Sequence, residues 1–212
     1  MKGEGQMQRG RLTVYYGPMF GRKTAFLAED AKSLSAIAKR NVLAFMPHID
    51  TRRSATEIVS LSGARAPAIQ VRSPFEILRM AIREGAQEVL IDEVQFFQQR
   101  VTRNRVRDWS LVFVVKELLL RGVNVHVAGL NTTFLGHPFH PTADLMAFAD
   151  DLIRLRAICT VCGDVADWSL RLVDGQPVGP GGQLIVVAGG RGEEGKGEET
   201  YEARCSLHHP FL

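Results

Sequence analysis

Residues 17–24, Gly-Pro-Met-Phe-Gly-Arg-Lys-Thr, are the first stretch of the chain whose residue types and spacing could do chemistry. They follow an alternating apolar run at 12–16 and precede a helical pattern, which predicts a turn from a strand into a helix. At such a turn, N–H groups of the helix N-terminus bind phosphate, a Lys reaches the outer phosphates and a Ser/Thr hydroxyl holds Mg²⁺. The segment fits the template G-x-x-x-x-G-K-[ST] except at Arg22.

Arg22 stands where the template has its second Gly. Gly there lets the backbone approach phosphate and adopt conformations that are costly for other residues. A left-handed conformation costs about 1–2 kcal/mol for a residue with a Cβ. Gly21 is a position to which the bend could shift, and the Arg22 guanidinium could itself contact phosphate. A working loop and a loop that has lost its function both stay open at this point.

Asp92 and Glu93 form a second pair of chemical groups, directly after the apolar residues 88–91. In proteins with a phosphate-binding loop, such an Asp supports Mg²⁺ and a neighbouring Glu can accept a proton from a nucleophile. The alternative is a solvated strand end with acidic residues. Because ligands bind at the carboxyl ends of the strands in α/β folds, we expect this pair to lie near residues 17–24, which favours the functional interpretation.

All three cysteines fall into two short motifs, Cys159-x-x-Cys162 and Cys205-x-x-His208. Two such motifs supply the four sulfur and nitrogen ligands of a closed structural Zn²⁺ site. His209 is an adjacent alternative for the fourth position. With four protein ligands, the metal is expected to stabilise the fold and not to catalyse. Cysteines with metal-ligand spacing also favour a reducing compartment, so the expected location is the cytoplasm.

The elements that must position these groups alternate between strand and helix over residues 12–129. This predicts a parallel sheet with flanking helices on both faces. We expect helices over about 23–39, 74–85 and 108–121, and strands over 41–46, 68–71, 88–93 and 123–128. From about Leu155 the helical periodicity fades and glycines accumulate. The sequence therefore predicts an α/β nucleotide-binding domain over 11–154 and a small zinc-ribbon-like β subdomain over 155–212 that carries a flexible lasso loop.

The composition is that of a soluble globular protein, with 45% apolar and 23% charged residues. The net charge of +3 is too small to argue for nucleic acid and mildly suits an anionic small substrate. Neither a membrane span nor a signal peptide is expected, because the apolar runs are too short. The arginine-rich residues 98–108 are expected to be a solvated face or a subunit contact, since no aromatic platform for nucleic acid accompanies them.

Taken together, these motifs resemble those of the zinc-containing thymidine kinases, the cellular and bacterial group. Residues 17–24 look like that family's G-P-M-F-S-G-K-[ST] loop, and residues 91–97 match its I-D-E-x-Q-F-F. Residues 129–139 resemble its G-L-D-x-D-F-R-G-x-P-F, and residues 158–163 and 189–205 resemble the segments around its cysteines. The motifs follow the family's order over residues 12–208. The departures are Arg22 for Gly, Asn131 for Asp and Leu135 for Arg.

The resemblance implies ATP-dependent phosphorylation of the 5′-hydroxyl of thymidine, with Glu93 as the general base. Lys23 would neutralise the transferring phosphoryl group, and Thr24 with Asp92 would hold Mg²⁺. The implied ATP and Mg²⁺ site comprises Gly17, Pro18, Met19, Phe20, Gly21, Arg22, Lys23, Thr24, Asp92 and Gln95. The implied thymidine site comprises Met19, Phe96, Phe134, Arg171, Val187 and Tyr201. The family is commonly tetrameric, so a homotetramer is expected, without membrane or nucleic-acid partners.

Two other functions remain open beside this one. The enzyme could phosphorylate another pyrimidine deoxynucleoside. Alternatively, Arg22, Asn131 and Leu135 could mark a catalytically weakened relative that binds nucleotides through its phosphate-binding loop and zinc subdomain. The intact block from Glu93 to Phe97 argues against complete loss of catalysis, because it keeps the base together with its aromatic neighbours.

Overall fold

The computed structural model describes residues 8–50, 56–97, 110–182 and 198–212. The strands are β1 (Leu12–Tyr16), β2 (Val42–Pro47), β3 (Glu57–Val59), β4 (Arg65–Pro67), β5 (Ile69–Val71), β6 (Glu88–Ile91), β7 (Asn124–Gly129), β8 (Asp151–Arg154), β9 (Ala157–Ile158), β10 (Val165–Ala166), β11 (Trp168–Val173), β12 (Gln176–Pro177) and β13 (Glu199–Arg204). The helices are α1 (Lys23–Lys32), α2 (Pro74–Arg83), α3 (Leu111–Leu120) and α4 (Thr142–Met146).

The central sheet has six parallel strands in the order β5-β2-β6-β7-β1-β8. Every residue of β6 is buried, as expected for a strand covered on both faces. Parallel pairing brings the carboxyl ends of β1, β2, β6 and β7 to one edge, where ligands bind in such folds. The predicted α/β fold is therefore confirmed.

Side chains that alternate along the strands build one apolar cluster on each face of the sheet. On one face Val14 and Val125 pack with Ile77 of α2 and Leu118 of α3. On the other face, Leu90 of β6 packs with Leu27 of α1 and with Ile58 and Ala66 of the β3–β4 hairpin. The sheet and its helices thus form a buried frame behind the ligand edge.

Several predicted boundaries differ from the structure. Helix α1 stops being regular at Lys32 and continues as a π-helical turn over Ser33–Ile37. Strand β2 was expected to end before Pro47 but includes it as its last residue, a position where a residue without a backbone N–H is tolerated. Helix α3 starts at Leu111, one residue after Ser110, whose hydroxyl accepts from the backbone N–H of Phe113 at 3.2 Å. The β3–β4 hairpin, β8 and α4 were not predicted.

The C-terminal part is built from short antiparallel strands, as predicted, in the orders β10-β9 and β12-β11-β13. One buried apolar cluster of this part is made of small side chains, namely Ala157, Cys159, Ala166, Ala203 and Cys205, and β11 buries Leu170 and Leu172 in addition. Residues 183–197, which include Val187 and part of the predicted lasso loop, lie outside the described residues, as do residues 98–109. The division into domains at residues 154 and 155 stays a prediction. Within the described segments, no helix is long and apolar enough to cross a membrane.

Candidate active site

A cleft of about 860 Å³ lies at the carboxyl edge of the sheet. The loop after β1 and the carboxyl groups after β6 line it through Arg22, Lys23, Thr24, Asp92 and Glu93. A second group of lining side chains, which we call the aromatic wall, consists of Phe96, Phe134, Phe139 and Tyr201. The β3–β4 hairpin lines the cleft with residues 57–62. Elements far apart in the chain thus converge on one cavity.

The first position of the loop at 17–24 accommodates only Gly. Gly17 has a φ of 148°, and a Cβ there would lie 1.8 Å from the backbone oxygen of Leu155. Phe20 and Arg22 both adopt a φ of 64°, whereas Gly21 does not have a positive φ. The bend is therefore not shifted to Gly21; Arg22 itself takes the left-handed conformation.

Arg22 caps the N-terminus of α1 with backbone angles of φ 64° and ψ 18°. This conformation costs about 1–2 kcal/mol for a residue with a Cβ. The exposed side chain lines the cleft, and its guanidinium carbon lies 5.6 Å from the centroid of the Phe26 ring. A cation over an aromatic ring recovers about 0.5–1 kcal/mol at an exposed site. Arg22 thus keeps a positive charge beside the helix N-terminus, where an anion would bind.

Lys23 and Thr24 begin helix α1 and face the groups that an ATP·Mg²⁺ site needs. The Lys23 ammonium is buried and donates to the backbone oxygen of Pro18 at 2.6 Å. The Thr24 hydroxyl donates to Oδ1 of Asp92 at 3.4 Å. The same carboxylate oxygen accepts from the backbone N–H of Glu93 at 3.0 Å. A hydroxyl and a carboxylate side by side are ligands that suit Mg²⁺.

The electrostatics of Asp92 also favour a cation. Burial, together with the neighbouring negative charge of Glu93, raises the pKa of Asp92 to about 7. A divalent cation bound here would stabilise the ionised form and lower that pKa.

Glu93 follows the strand in a strained conformation, with φ 50° and ψ 45°. The Gln95 amide donates to its carboxylate, and the Gln95 carbonyl accepts from the backbone N–H of Leu130 at 3.1 Å. Gln95 is almost fully buried. A Cβ on Gly129 would lie 3.0 Å from Gln95 Oε1, so this close packing requires Gly. Gln95 therefore orients Glu93, which was predicted as the base, against the loop after β7.

The residues predicted to bind thymidine are not all in the cleft. Met19, Phe96, Phe134 and Tyr201 line it. Arg171 is absent from the lining among the described residues; it pairs with Glu199 at 2.9 and 3.2 Å, with its guanidinium carbon 5.7 Å from the Phe134 ring centroid. It thus supports the aromatic wall.

Sequence reasoning missed two contributions to the cleft. The first is the β3–β4 hairpin, for which the Ser62-Gly63 turn was an available signal. The second is the contact between Ser169 and the phosphate-binding loop: the resemblance indicates a hydroxyl at position 169, but not that it accepts from the backbone N–H of Met19 at 2.9 Å. No local pattern signals this bond, because 150 positions separate the two residues.

The cysteine motifs meet at a single cluster. The ligand atoms of Cys159, Cys162, Cys205 and His208 all lie within 4.8 Å of one another. Sulfur atoms of Cys162 and Cys205 are 3.8 Å apart, and Nδ1 of His208 lies 3.2 Å from the sulfur of Cys205. Such separations fit four ligands around a tetrahedral ion at about 2.0–2.3 Å. The fourth member is His208, because the imidazole of His209 is buried elsewhere, with Nε2 3.4 Å from the backbone oxygen of Ser169.

Comparison with known proteins agrees with this geometry. The family model described as "Thymidine kinase" matches residues 10–209. The chain is 41% identical over 202 residues to a thymidine kinase of Coprothermobacter proteolyticus, covering 95% of this chain and 91% of that protein. It is 38% identical over 204 residues to one of Thermococcus kodakarensis, covering 94% of each. It is 38% identical over 208 residues to a thymidine kinase of Mycoplasma genitalium, covering 98% of this chain and 86% of that protein. The chain therefore belongs to the thymidine kinase family.

Proposed function

We propose that this protein transfers the γ-phosphoryl group of ATP to the 5′-hydroxyl of thymidine, giving dTMP and ADP. The observation that carries the proposal is the position of Glu93, which lines one cleft together with the phosphate-binding loop and the aromatic wall. Membership of the thymidine kinase family supports the choice of acceptor.

The phosphate end of the proposed reaction uses the start of α1. Backbone N–H groups at a helix N-terminus and the Lys23 ammonium would bind the transferring phosphoryl group, with Lys23 leaving the oxygen of Pro18 to do so. Thr24 and Asp92 would hold Mg²⁺, which supplies charge neutralisation on the phosphate oxygens. Gly17, Pro18, Phe20, Gly21 and Gln95 complete the proposed ATP site.

At the acceptor end, Glu93 takes the proton of the 5′-hydroxyl as the oxygen bonds to the γ-phosphorus and the bond to ADP breaks. Gln95 holds the Glu93 carboxylate in place for this step. A general base placed in this way contributes about 10²- to 10⁴-fold to the rate. The aromatic wall suits the flat face of a pyrimidine base. Met19 and Val187 belong to the proposed thymidine site, and Arg171 acts there through Phe134.

We further propose that Cys159, Cys162, Cys205 and His208 hold a structural Zn²⁺. Three thiolates and one imidazole form a complete tetrahedral set without an open position, so the ion has no place for substrate. A homotetramer and a cytoplasmic location complete the proposal. The former rests on the family resemblance, and the latter on cysteines with metal-ligand spacing.

The proposal is tested by incubating the purified protein with Mg·ATP and thymidine and measuring dTMP. We expect turnover, and we expect Glu93→Gln to lower kcat by about 10²-fold or more, since the amide cannot accept the proton. Glu57→Gln is the matched control, because Glu57 is another carboxylate that lines the cleft. This control should keep most of the activity.

Two results would contradict the proposal. Thymidine binding without turnover would indicate the catalytically weakened relative. Faster turnover of deoxyuridine or deoxycytidine, offered in parallel as acceptors, would indicate a kinase for another pyrimidine deoxynucleoside.

A further inference from the structure

His209 follows the metal-cluster residue His208 directly, yet its side chain belongs to a different part of the molecule. It is only 3% exposed. Its Nε2 lies 3.4 Å from the backbone oxygen of Ser169, and its Nδ1 accepts from the backbone N–H of Phe211 at 3.4 Å. Two successive histidines thus serve the metal cluster and the cleft wall respectively.

We propose that His209 is a positioning residue that connects the metal cluster to the thymidine side of the cleft. It does so by holding the strand that carries Ser169 and the loop that carries Phe134. Where thymidine is concerned, this inference rests on the proposed function.

The first connection runs through Ser169 to the phosphate-binding loop. Ser169 lies in β11, is buried and contributes to the lining of the cleft. While its backbone oxygen faces His209, its hydroxyl accepts from the backbone N–H of Met19 at 2.9 Å. A displacement of β11 would therefore move the acceptor away from the loop. His209 thus contacts β11 at the same residue that holds the loop.

The second connection runs to the loop at 129–139, which carries Phe134 of the aromatic wall. Phe134 is nearly fully buried and lines the cleft. Leu212, which follows His209, and Trp168, which packs on its ring, both lie close to the same loop: a Cβ on Gly136 would be 2.7 Å from the Leu212 side chain and 3.8 Å from the Trp168 ring. The His209 ring itself packs between Trp168, at 6.4 Å, and Phe211, at 5.9 Å between centroids.

The chemistry of the site explains why a histidine is used. A neutral imidazole offers one N–H donor and one acceptor nitrogen, and here Nε2 faces a backbone oxygen while Nδ1 faces a backbone N–H. Phe fills a similar volume but offers neither group. Gln retains an N–H donor that can reach the oxygen of Ser169. A buried carbonyl that loses its donor is costly, so the wall would rearrange in the Phe variant.

The experiment compares wild type, His209→Phe and His209→Gln. Thymidine affinity is measured by calorimetry without ATP, and zinc content by elemental analysis. Hydrogen exchange is followed without nucleoside in residues 131–139, with helix α3 as the internal reference. For His209→Phe we expect about tenfold weaker thymidine binding, the effect of losing a buried hydrogen bond. We also expect faster exchange in 131–139 alone and the zinc content of wild type. His209→Gln should recover most of the affinity.

The inference is overturned if His209→Phe binds thymidine as wild type does. It is also overturned if α3 exchanges faster to the same degree as 131–139, or if the Gln variant is as impaired as the Phe variant, since either outcome indicates a general structural role. If wild type neither binds nor phosphorylates thymidine, the proposed function has failed. Exchange in residues 131–139 then still decides whether His209 positions this loop.

Discussion

Arg22 combines two features that oppose each other in a phosphate-binding loop. Its charge stands beside the N-terminus of α1, where anions are stabilised. Its backbone, however, is left-handed at φ 64°, a conformation that favours Gly. A Gly, which has no Cβ, would also let the backbone come closer to phosphate. The guanidinium rests over Phe26, on the helix it precedes. We expect the balance between charge and close approach to decide how well ATP binds.

For Arg22→Gly we expect a severalfold lower KM for ATP, because the loop backbone can approach the phosphates more closely. Relief of about 1–2 kcal/mol of strain is partly offset by the larger entropy loss of Gly, about 0.5–1 kcal/mol. The free energy of unfolding should therefore change little. Steady-state kinetics at varied ATP and denaturant unfolding measure the two quantities.

Lys39→Gly is the matched control for this substitution. Lys39 is exposed, has a φ of 53° and does not line the cleft, so its replacement should leave the KM for ATP unchanged. A higher KM in Arg22→Gly would contradict the prediction and show that the guanidinium binds phosphate.

At the scale of elements, a partly buried charged network joins α1 to the central sheet. His126 of β7 has its Nε2 3.2 Å from Glu88 of β6 and its Nδ1 3.4 Å from Asp30 of α1. Tyr15 donates a hydrogen bond to Asp30, and Arg40 pairs with Glu88 at 3.2 Å. Since α1 carries the proposed phosphate-binding residues at its start, this network fixes the helix on the strands that present Asp92 and Glu93.

The network should make stability depend on pH. Burial by itself would lower the pKa of His126, but hydrogen bonds and charges from Asp30 and Glu88 outweigh it and raise the pKa to about 9. The unfolded value is about 6.5. Because the folded pKa is the higher one, the stabilisation is complete below about pH 6.5 and is lost as the pH rises through about 9.

We expect His126→Gln to lower the free energy of unfolding by roughly 1–2 kcal/mol at about pH 6, because Asp30 and Glu88 lose the imidazolium between them while Arg40 still pairs with Glu88. The difference from wild type should shrink at about pH 10. Denaturant unfolding at both pH values measures it. His140→Gln is the control, because His140 is exposed and pairs with Asp144 at the surface; its effect should stay below about 1 kcal/mol. A loss that does not vary with pH would indicate a packing effect instead.

At the scale of the whole molecule, we expect the small β region to depend on a metal held by Cys159, Cys162, Cys205 and His208. The apolar cluster beside the cysteines consists of small side chains, which supply little hydrophobic stabilisation there. A structural Zn²⁺ contributes to folding directly. This region also provides Ser169, the hydrogen-bond acceptor for Met19 in the phosphate-binding loop. Loss of the metal should therefore reach the cleft.

We expect a strong chelator to remove zinc, to speed hydrogen exchange in β9–β13, and to abolish thymidine binding, while the six-stranded sheet stays protected. Exchange mass spectrometry and calorimetry measure these effects, and re-addition of zinc should reverse them. An untreated protein without bound zinc, or a chelated protein that still binds thymidine, would contradict the prediction.

Most of the fold could be predicted from the sequence because its signals are local. Apolar runs and helical spacing identified β1, β2, β6, β7 and the helices between them, and turn-and-helix spacing identified the phosphate-binding loop. The β3–β4 hairpin was missed because its strands have three residues each, too few for a clear alternation. Residues 92–93 could be assigned to the ligand edge because parallel strands share one direction.

The sequence by itself thus determined the α/β class, the family motifs and the two short motifs that contain the cysteines and His208. Only the tertiary structure decided that His208 and not His209 completes the cluster, that Arg22 itself bears the bend, and that Ser169 meets Met19. These outcomes depend on strand register and on the packing of distant segments, which bring together groups up to 150 positions apart. Local spacing carries no information about such contacts, because they form only once the sheets and their loops have packed.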